Sequence, residues 1–258
     1  MIAGIAGLCA AVTFGLESAN IVGYTTTDTA KNAQQMIGAS FVSVSGTGES
    51  LSLTDISLQN DEEEGSSWIK WWDPTAKKYS DKVCFVYERY DADDDEKVYE
   101  GGWADEDWIP VEKTFAPGEG FWFQAGNDGV KILVSGQVYQ PTTQYLSLPL
   151  VKNAQRMVQN PFPTTLKLSD IVLDNDEEEG SSWIKWWDPT TKKYSDKVCY
   201  VYERYDAEDD DKVYEGGWAD EDWIPVEKTF DVGAGFWVQA GNDGVEISFP
   251  NPFYTPAN

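Results

Sequence analysis

One long stretch occurs twice in this chain, and no other feature limits its fold as much. Residues 55–115 return as residues 170–230, with six differences in 61 positions: Ser57/Val172, Gln59/Asp174, Ala76/Thr191, Phe85/Tyr200, Asp93/Glu208 and Glu96/Asp211. A repeat of this length exceeds a solenoid unit, so each copy is expected to be a small domain with its own core. Outside the stretch the copies drift apart. Lys31-Asn-Ala-Gln-Gln-Met36 matches Lys152-Asn-Ala-Gln-Arg-Met157 at an offset of 121 rather than 115. The first copy therefore carries six extra residues between Phe41 and Thr54, where Gly46-Thr-Gly48 reads as a loop insertion. Towards the end of each copy, Gly118–Val130 matches Gly233–Val245, and all twelve Trp fall in six matched pairs.

The pattern inside each copy is one of short strands and turns. Asn20–Thr27, Gln35–Val44, Ser66–Asp73, Tyr79–Tyr90, Val98–Trp103, Phe121–Gln124 and Val130–Val138 read as strands. Leu51–Leu58 reads as a strand or as one helical turn. Met36, Phe41 and Val42 are candidate core. In Ser66–Asp73, strand alternation places Trp68 and Trp72 on one face and Ile69 and Trp71 on the other. Asp73-Pro74 and Asn127-Asp-Gly129 mark turns, and a bulge is expected at Gly101-Gly102. No stretch keeps a helical period over three turns. The expected fold is all-β, with two tandem, near-identical β-sandwich or barrel-like domains. Their bounds are 20–138 and 145–253, with a linker at 139–144, a tail at 254–258 and a leader at 1–19.

Composition narrows the function. The formal charge is −26, from 45 acidic and 19 basic residues. Such a balance opposes nucleic-acid binding, which needs a positive surface facing phosphates, and docking on anionic lipid. There is no His, which removes Ser-His-Asp and Cys-His nucleophiles and His-ligated zinc or copper. No phosphate-binding Gly-rich loop of the P-loop type appears. A glycosidase needs only two carboxylates, but none of the many here is marked by its surroundings, so a non-catalytic protein is expected.

The opening run, Met1–Gly15, is the only long uncharged apolar stretch. It is shorter than the roughly 20 residues of a membrane span and suits the apolar part of a secretory signal, so no membrane span is expected. Removal in the mature protein is the expectation; the rival is a retained segment that packs on a neighbour. Of the three Cys, Cys9 lies in this leader. Cys84 and Cys199 are one per copy. They read either as small buried apolar groups in matching strands or as a bridge between domains or molecules.

Ser18-Ala-Asn-Ile-Val-Gly-Tyr24, Gly102-Trp-Ala-Asp105 and Ala116-Pro-Gly-Glu-Gly-Phe-Trp-Phe-Gln124 together resemble a group of secreted bacterial β-rich proteins. Members share the Ser-Ala-Asn-x-Val-Gly-Tyr opening, an acidic aromatic-rich middle and a closing Pro-Gly-x-Gly-Phe-Trp turn. The second copy has lost the opening except Tyr145, and Pro117-Gly-Glu-Gly has become Val232-Gly-Ala-Gly. The resemblance implies export to the cell surface or medium and a β-rich domain. It carries no activity and no site residues.

Two candidate sites remain. Asp91, Asp93 and Asp95, with Asp206, Glu208 and Asp210, place carboxylates at alternate positions, like the start of a calcium loop. The sixth and twelfth positions, Glu96 and Gly102, do not fit that loop. A solvated acidic loop is the alternative, and no other cofactor is expected. Trp68, Lys70 and Trp72, with Trp183, Lys185 and Trp187, are either core or a platform on which a polysaccharide stacks. The functional expectation is a non-catalytic structural or adhesive protein, joining copies of itself head to tail into a filament or surface layer. The alternative is a bivalent carbohydrate-binding protein.

Overall fold

The structure is a computed structural model and describes residues 22–44, 48–62, 65–86, 89–90, 97–99, 102–176, 181–201, 204–205, 212–214 and 217–256. The leader at 1–19, Cys9 and the candidate calcium residues Asp91, Asp93, Asp95, Asp206, Glu208 and Asp210 lie outside the described residues.

The protein is all-β, built from several small antiparallel sheets. The helical elements among the described residues are two three-residue 3-10 turns, Leu53–Asp55 and Leu168–Asp170. Leu51–Leu58 is therefore both things the sequence offered: strand Leu51–Ser52, the turn, then strand Ile56–Gln59. A capping box closes the turn, with Thr54 N donating to Ser52 Oγ (3.3 Å) and Ser52 N to Asp55 Oδ2 (3.0 Å). Lys167 stands at that place in the second copy and gives no side-chain cap.

Each copy contributes a six-stranded sheet of the same strand order. In the first it runs Gly102–Ala104, Val83–Val86, Trp68–Asp73, Gly120–Gln124, Gln34–Gly38, with Lys78–Tyr79 beside Trp68–Asp73. In the second it runs Gly217–Ala219, Val198–Val201, Trp183–Asp188, Gly235–Gln239, Gln155–Gln159, with Lys193–Tyr194 beside Trp183–Asp188. Side chains alternate along these strands, and the two faces differ in kind. One face is aliphatic and Phe-rich. Ile37, Ile69, Val83, Phe121 and Phe123 meet Val130, Ile132 and Val134 of the long strand Val130–Val138. Their counterparts Val158, Ile184, Val198, Phe236 and Val238 meet Val245, Ile247 and Phe249. The other face carries Trp and Met and forms a third cluster, drawn from both copies: Met36, Trp68, Trp72 and Trp122 with Met157, Trp183, Trp187 and Trp237.

Strand limits depart from expectation in two places. Gln35–Val44 is two strands, Gln34–Gly38 and Phe41–Val42, although Met36, Phe41 and Val42 are buried as expected. Tyr79–Tyr90 is likewise broken. The hairpin pairs Trp72 with Tyr79, yet further on Ile69 pairs with Val83, one residue out of step. Ser80 causes the slip: its Oγ accepts from Trp71 N (3.2 Å) and donates to Asp81 O (2.9 Å). That side chain takes a ladder position, and the chain bulges before re-entering the sheet. Cys84 and Cys199 are free and half-buried. At the other end Pro250 closes strand Glu246–Pro250, where a proline ends the ladder. Asn251 then ties down the connector, donating from Nδ2 to Pro141 O and Thr143 O (2.9 Å each).

The seam between the copies is reciprocal. Trp72 meets Trp237 edge to face (5.6 Å, 89°), and their repeat mates Trp187 and Trp122 meet the same way (5.6 Å, 82°). Bridges Ile37↔Ala234 and Glu119↔Val158 form the same equivalent pair. A Cβ on Gly120 would meet Met157, and one on Gly235 would meet Met36, so glycine permits the close approach on both sides. Residue i of one copy touches j of the other, and j touches i; the contact is isologous. A head-to-tail junction was expected on the premise that the joining face of each copy keeps a free counterpart. Within the chain the equivalent faces of the two copies cover each other.

Candidate functional site: an aromatic cleft at the seam

The hairpin after each Trp-rich strand sets up the site. Asp73 Oδ1 accepts from Thr75 N (2.8 Å) and Ala76 N (2.9 Å), and Lys77 turns the chain at φ 51°. Asp188 does the same for Thr190 and Thr191. The hydroxyl of Thr191 and the Thr190 amide, bonding to it, hold the Asp188 carboxyl below its usual range. Each tight turn lays a tyrosine directly opposite a tryptophan: Tyr79 opposite Trp72, Tyr194 opposite Trp187.

The tyrosine hydroxyls then accept indole N–H bonds, Trp122 Nε1 to Tyr79 Oη (3.0 Å) and Trp237 Nε1 to Tyr194 Oη (3.3 Å). Burial of the hydroxyl pushes the Tyr79 phenol up to about 12, with the nearby Tyr194 adding to the rise. Tyr194 is raised by burial too. Trp72 Nε1 and Trp187 Nε1 are buried without a hydrogen-bond partner.

On the second-copy side the seam opens into a cleft of about 420 Å³. Trp183, Trp237 and Tyr194 of the second copy line it, together with Tyr79 of the first. Lys185, Lys197, Gln155 and Gln239 complete the lining. Strand register fixes these places: Gln239 lies between Gln155 and Trp183, and Trp237 lies between Met157 and Lys185. The ammonium of Lys197 sits over the Trp183 ring, 5.0 Å from its centre, a cation–π distance. The site spans both copies, since Tyr79 closes a cleft otherwise made by the second.

Trp183 and Lys185 thus come together in the cleft. Trp187 packs behind it in the seam cluster. Trp68 and Trp72 also pack against that cluster, and Lys70 lies opposite Trp122 in the strand register. The tryptophans are built into the seam rather than presented as a flat outer row. Trp183, for example, keeps only 7% of its surface. On the first-copy side Lys82 covers Trp68 at 5.2 Å, and Gln34 Nε2 donates to Gln124 Oε1 (3.0 Å). Tyr79, Tyr194, Trp237, Lys197 and the two glutamines were not singled out in the sequence. Alternation in Gly-Phe-Trp-Val-Gln, with Phe and Val inward, was the signal that Trp237 and Gln239 share a face.

Among the described residues no group of three or more Cys, Asp or Glu is placed to hold a metal. No helix of the described residues is long and apolar enough to cross a membrane. No family model, curated protein or solved structure matches the chain.

Proposed function

We propose that the protein is a non-catalytic, extracellular adhesive protein that holds a carbohydrate in the cleft at its seam. In this reading residues 20–138 and 145–253 are two β-sandwich domains, closed face to face through their Trp-rich sheets. The observation that carries the reading is the cleft lining. Two exposed phenols and the rims of two largely buried indoles offer apolar surface to sugar C–H groups, and two glutamines and two lysines stand beside them for hydroxyls. None of the eight lining residues is a carboxylate, so the paired acids of sugar-bond hydrolysis have no place among them. Export rests on the apolar leader and on the resemblance of the opening motif.

Calorimetric titration of the intact chain with soluble oligosaccharides tests this. Binding that weakens in Gln155→Ala and Gln239→Ala, with unchanged melting temperature, supports the reading. No heat and no change in tryptophan emission with any neutral or acidic oligosaccharide overturns it.

A structural role by self-association has separate support. Strand Val22–Thr29 ends the order of its sheet and exposes Val22 (60%) and Tyr24 (70%). Among the described residues no strand pairs with its outer edge, and an edge of this kind accepts another strand. Sedimentation across a salt and calcium series, with Tyr24→Lys as control, tests it. Assembly lost in that variant supports edge pairing; a monomer throughout refutes it.

A further inference from the structure

We infer that the sugar held in this cleft carries a carboxylate, as a uronic acid does, and that one such ligand binds per chain, on the second-copy side. This deepens the carbohydrate reading and rests on it.

The cleft is rich in donors. Lys185 and Lys197 bring two ammonium groups and Gln155 and Gln239 two amide NH₂ groups. Tyr79 and Tyr194 already accept from Trp122 and Trp237, which leaves their O–H groups free to donate. Acceptors are limited to the two amide oxygens and what remains of the phenols. A ligand that satisfies this lining must itself be rich in acceptors, as a carboxylated, hydroxylated ring is.

The charge pattern points the same way. The chain has 45 acidic residues against 19 basic ones, so most of its surface repels an anion. Yet among the described residues no carboxylate lies within ion-pair distance of Lys185 or Lys197, and the lining holds none. Lys197 is placed by Trp183, and Lys185 flanks Trp237 across the strands. An anionic group seated between them would lie beside the exposed phenols that take the sugar ring. The lining offers no Arg fork and no run of backbone amides, the devices that suit phosphate and sulfate esters. A single carboxylate matches two point charges.

The two sides of the seam are not equal. Gln34 Nε2 donates to Gln124 Oε1, which ties the two amides together and uses one donor and one acceptor on the first-copy side. Their mates Gln155 and Gln239 make no such bond, so both amides remain available. This asymmetry assigns one site per chain, although the aromatic residues repeat.

The test is titration of the intact chain with a trimer of galacturonic acid, its methyl ester and a sulfated neutral trimer, at low ionic strength. The acid is expected to bind about tenfold more tightly than the ester, one per chain, the gain falling with salt because the lysines are near the surface. Lys185→Met with Lys197→Met should erase the difference between acid and ester, the acid losing about tenfold more affinity than the ester. Lys70→Met with Lys82→Met, on the other side, should change neither. Equal affinity for acid and ester overturns the inference while leaving the carbohydrate reading standing. So does preference for the sulfated trimer, or two ligands per chain. No binding of any trimer removes the reading on which it rests.

Discussion

Four tryptophans at the seam form two chemical classes, and the repeat supplies each class in duplicate. Trp122 and Trp237 donate their indole N–H to a tyrosine; Trp72 and Trp187 bury theirs without a partner. Replacing any of them with Phe keeps a six-membered ring and removes the pyrrole half. The lost burial and the gap left behind cost about 1–2 kcal/mol on the scale of core truncations. In Trp122→Phe and Trp237→Phe a hydrogen bond worth about 1 kcal/mol goes as well, for a total of about 2–3 kcal/mol. In Trp72→Phe and Trp187→Phe the substitution removes a buried unsatisfied donor, whose desolvation costs about 1–3 kcal/mol. The two effects offset, and the expected change is about zero, within about 1 kcal/mol. Urea unfolding followed by circular dichroism measures all four. Twins should agree with each other, and the classes should differ by about 2 kcal/mol. If Trp72→Phe and Trp187→Phe cost as much as the other pair, the assignment of hydrogen bonds at the seam is wrong.

Two pairs of titrating groups give further outcomes. The Tyr79 phenol is raised to about 12 by burial, and Tyr194 is raised with it. Above the unfolded value near 10 the unfolded chain loses these protons first, so stability is complete below pH ~10 and falls as pH rises towards 12. Tyrosinate absorbance should show the two titrating late in the folded protein, and Tyr79→Phe should flatten the alkaline fall in melting temperature. Burial also raises the Cys84 and Cys199 thiols. At neutral pH both should be alkylated more slowly in the native protein than in urea, as mapped by peptide mass, and a reductant should leave the mobility of the chain unchanged.

The all-β character and the inward faces were legible because strand alternation is local. Val130–Val138 was found to the residue, and Ile69 and Trp71 were placed on the face opposite Trp68 and Trp72. The breaks in strands were less visible. The Ser80 bulge depends on a side-chain hydroxyl bonding across to Trp71, a pairing that exists only once register is set. The cleft was half legible: Trp183 and Lys185 were named, but Tyr79 reaches it from the other copy. Nothing along a single copy shows which face its twin will cover. The repeat reported that the copies resemble each other and stayed silent on whether like faces or unlike faces meet.

The one place where the seam must break its own symmetry is its axis. Gly38 and Gln159 are equivalent under the repeat, and they touch. A Cβ on Gly38 would stand 2.5 Å from Gln159 Cγ and 2.7 Å from the Glu119 carbonyl oxygen. The fully buried Gln159 donates from its backbone N to Gly118 O (3.0 Å) and from Nε2 to Ser40 Oγ (3.1 Å). At such a point two large residues collide and two glycines leave a hole, so identical copies cannot fill it well. A tandem chain can place one of each, and divergence at 38/159 is then a packing requirement rather than drift. Gly38→Gln should overpack the axis, at a cost of about 1–3 kcal/mol or more. Gln159→Gly should leave a cavity and a looser backbone, at about 2–4 kcal/mol. The double exchange puts the large residue back against the small one from the other side and relieves the contact with 159, but the Cβ at 38 still meets the Glu119 carbonyl oxygen, so only part of both losses should return. About 1 kcal/mol more stays lost because Pro161 stands where Ser40 stands in the first copy and offers no hydroxyl to the new glutamine. Urea melts of the two single variants and the double variant decide it. A double variant as unstable as the sum of the singles would mean that 38 and 159 do not act as a pair.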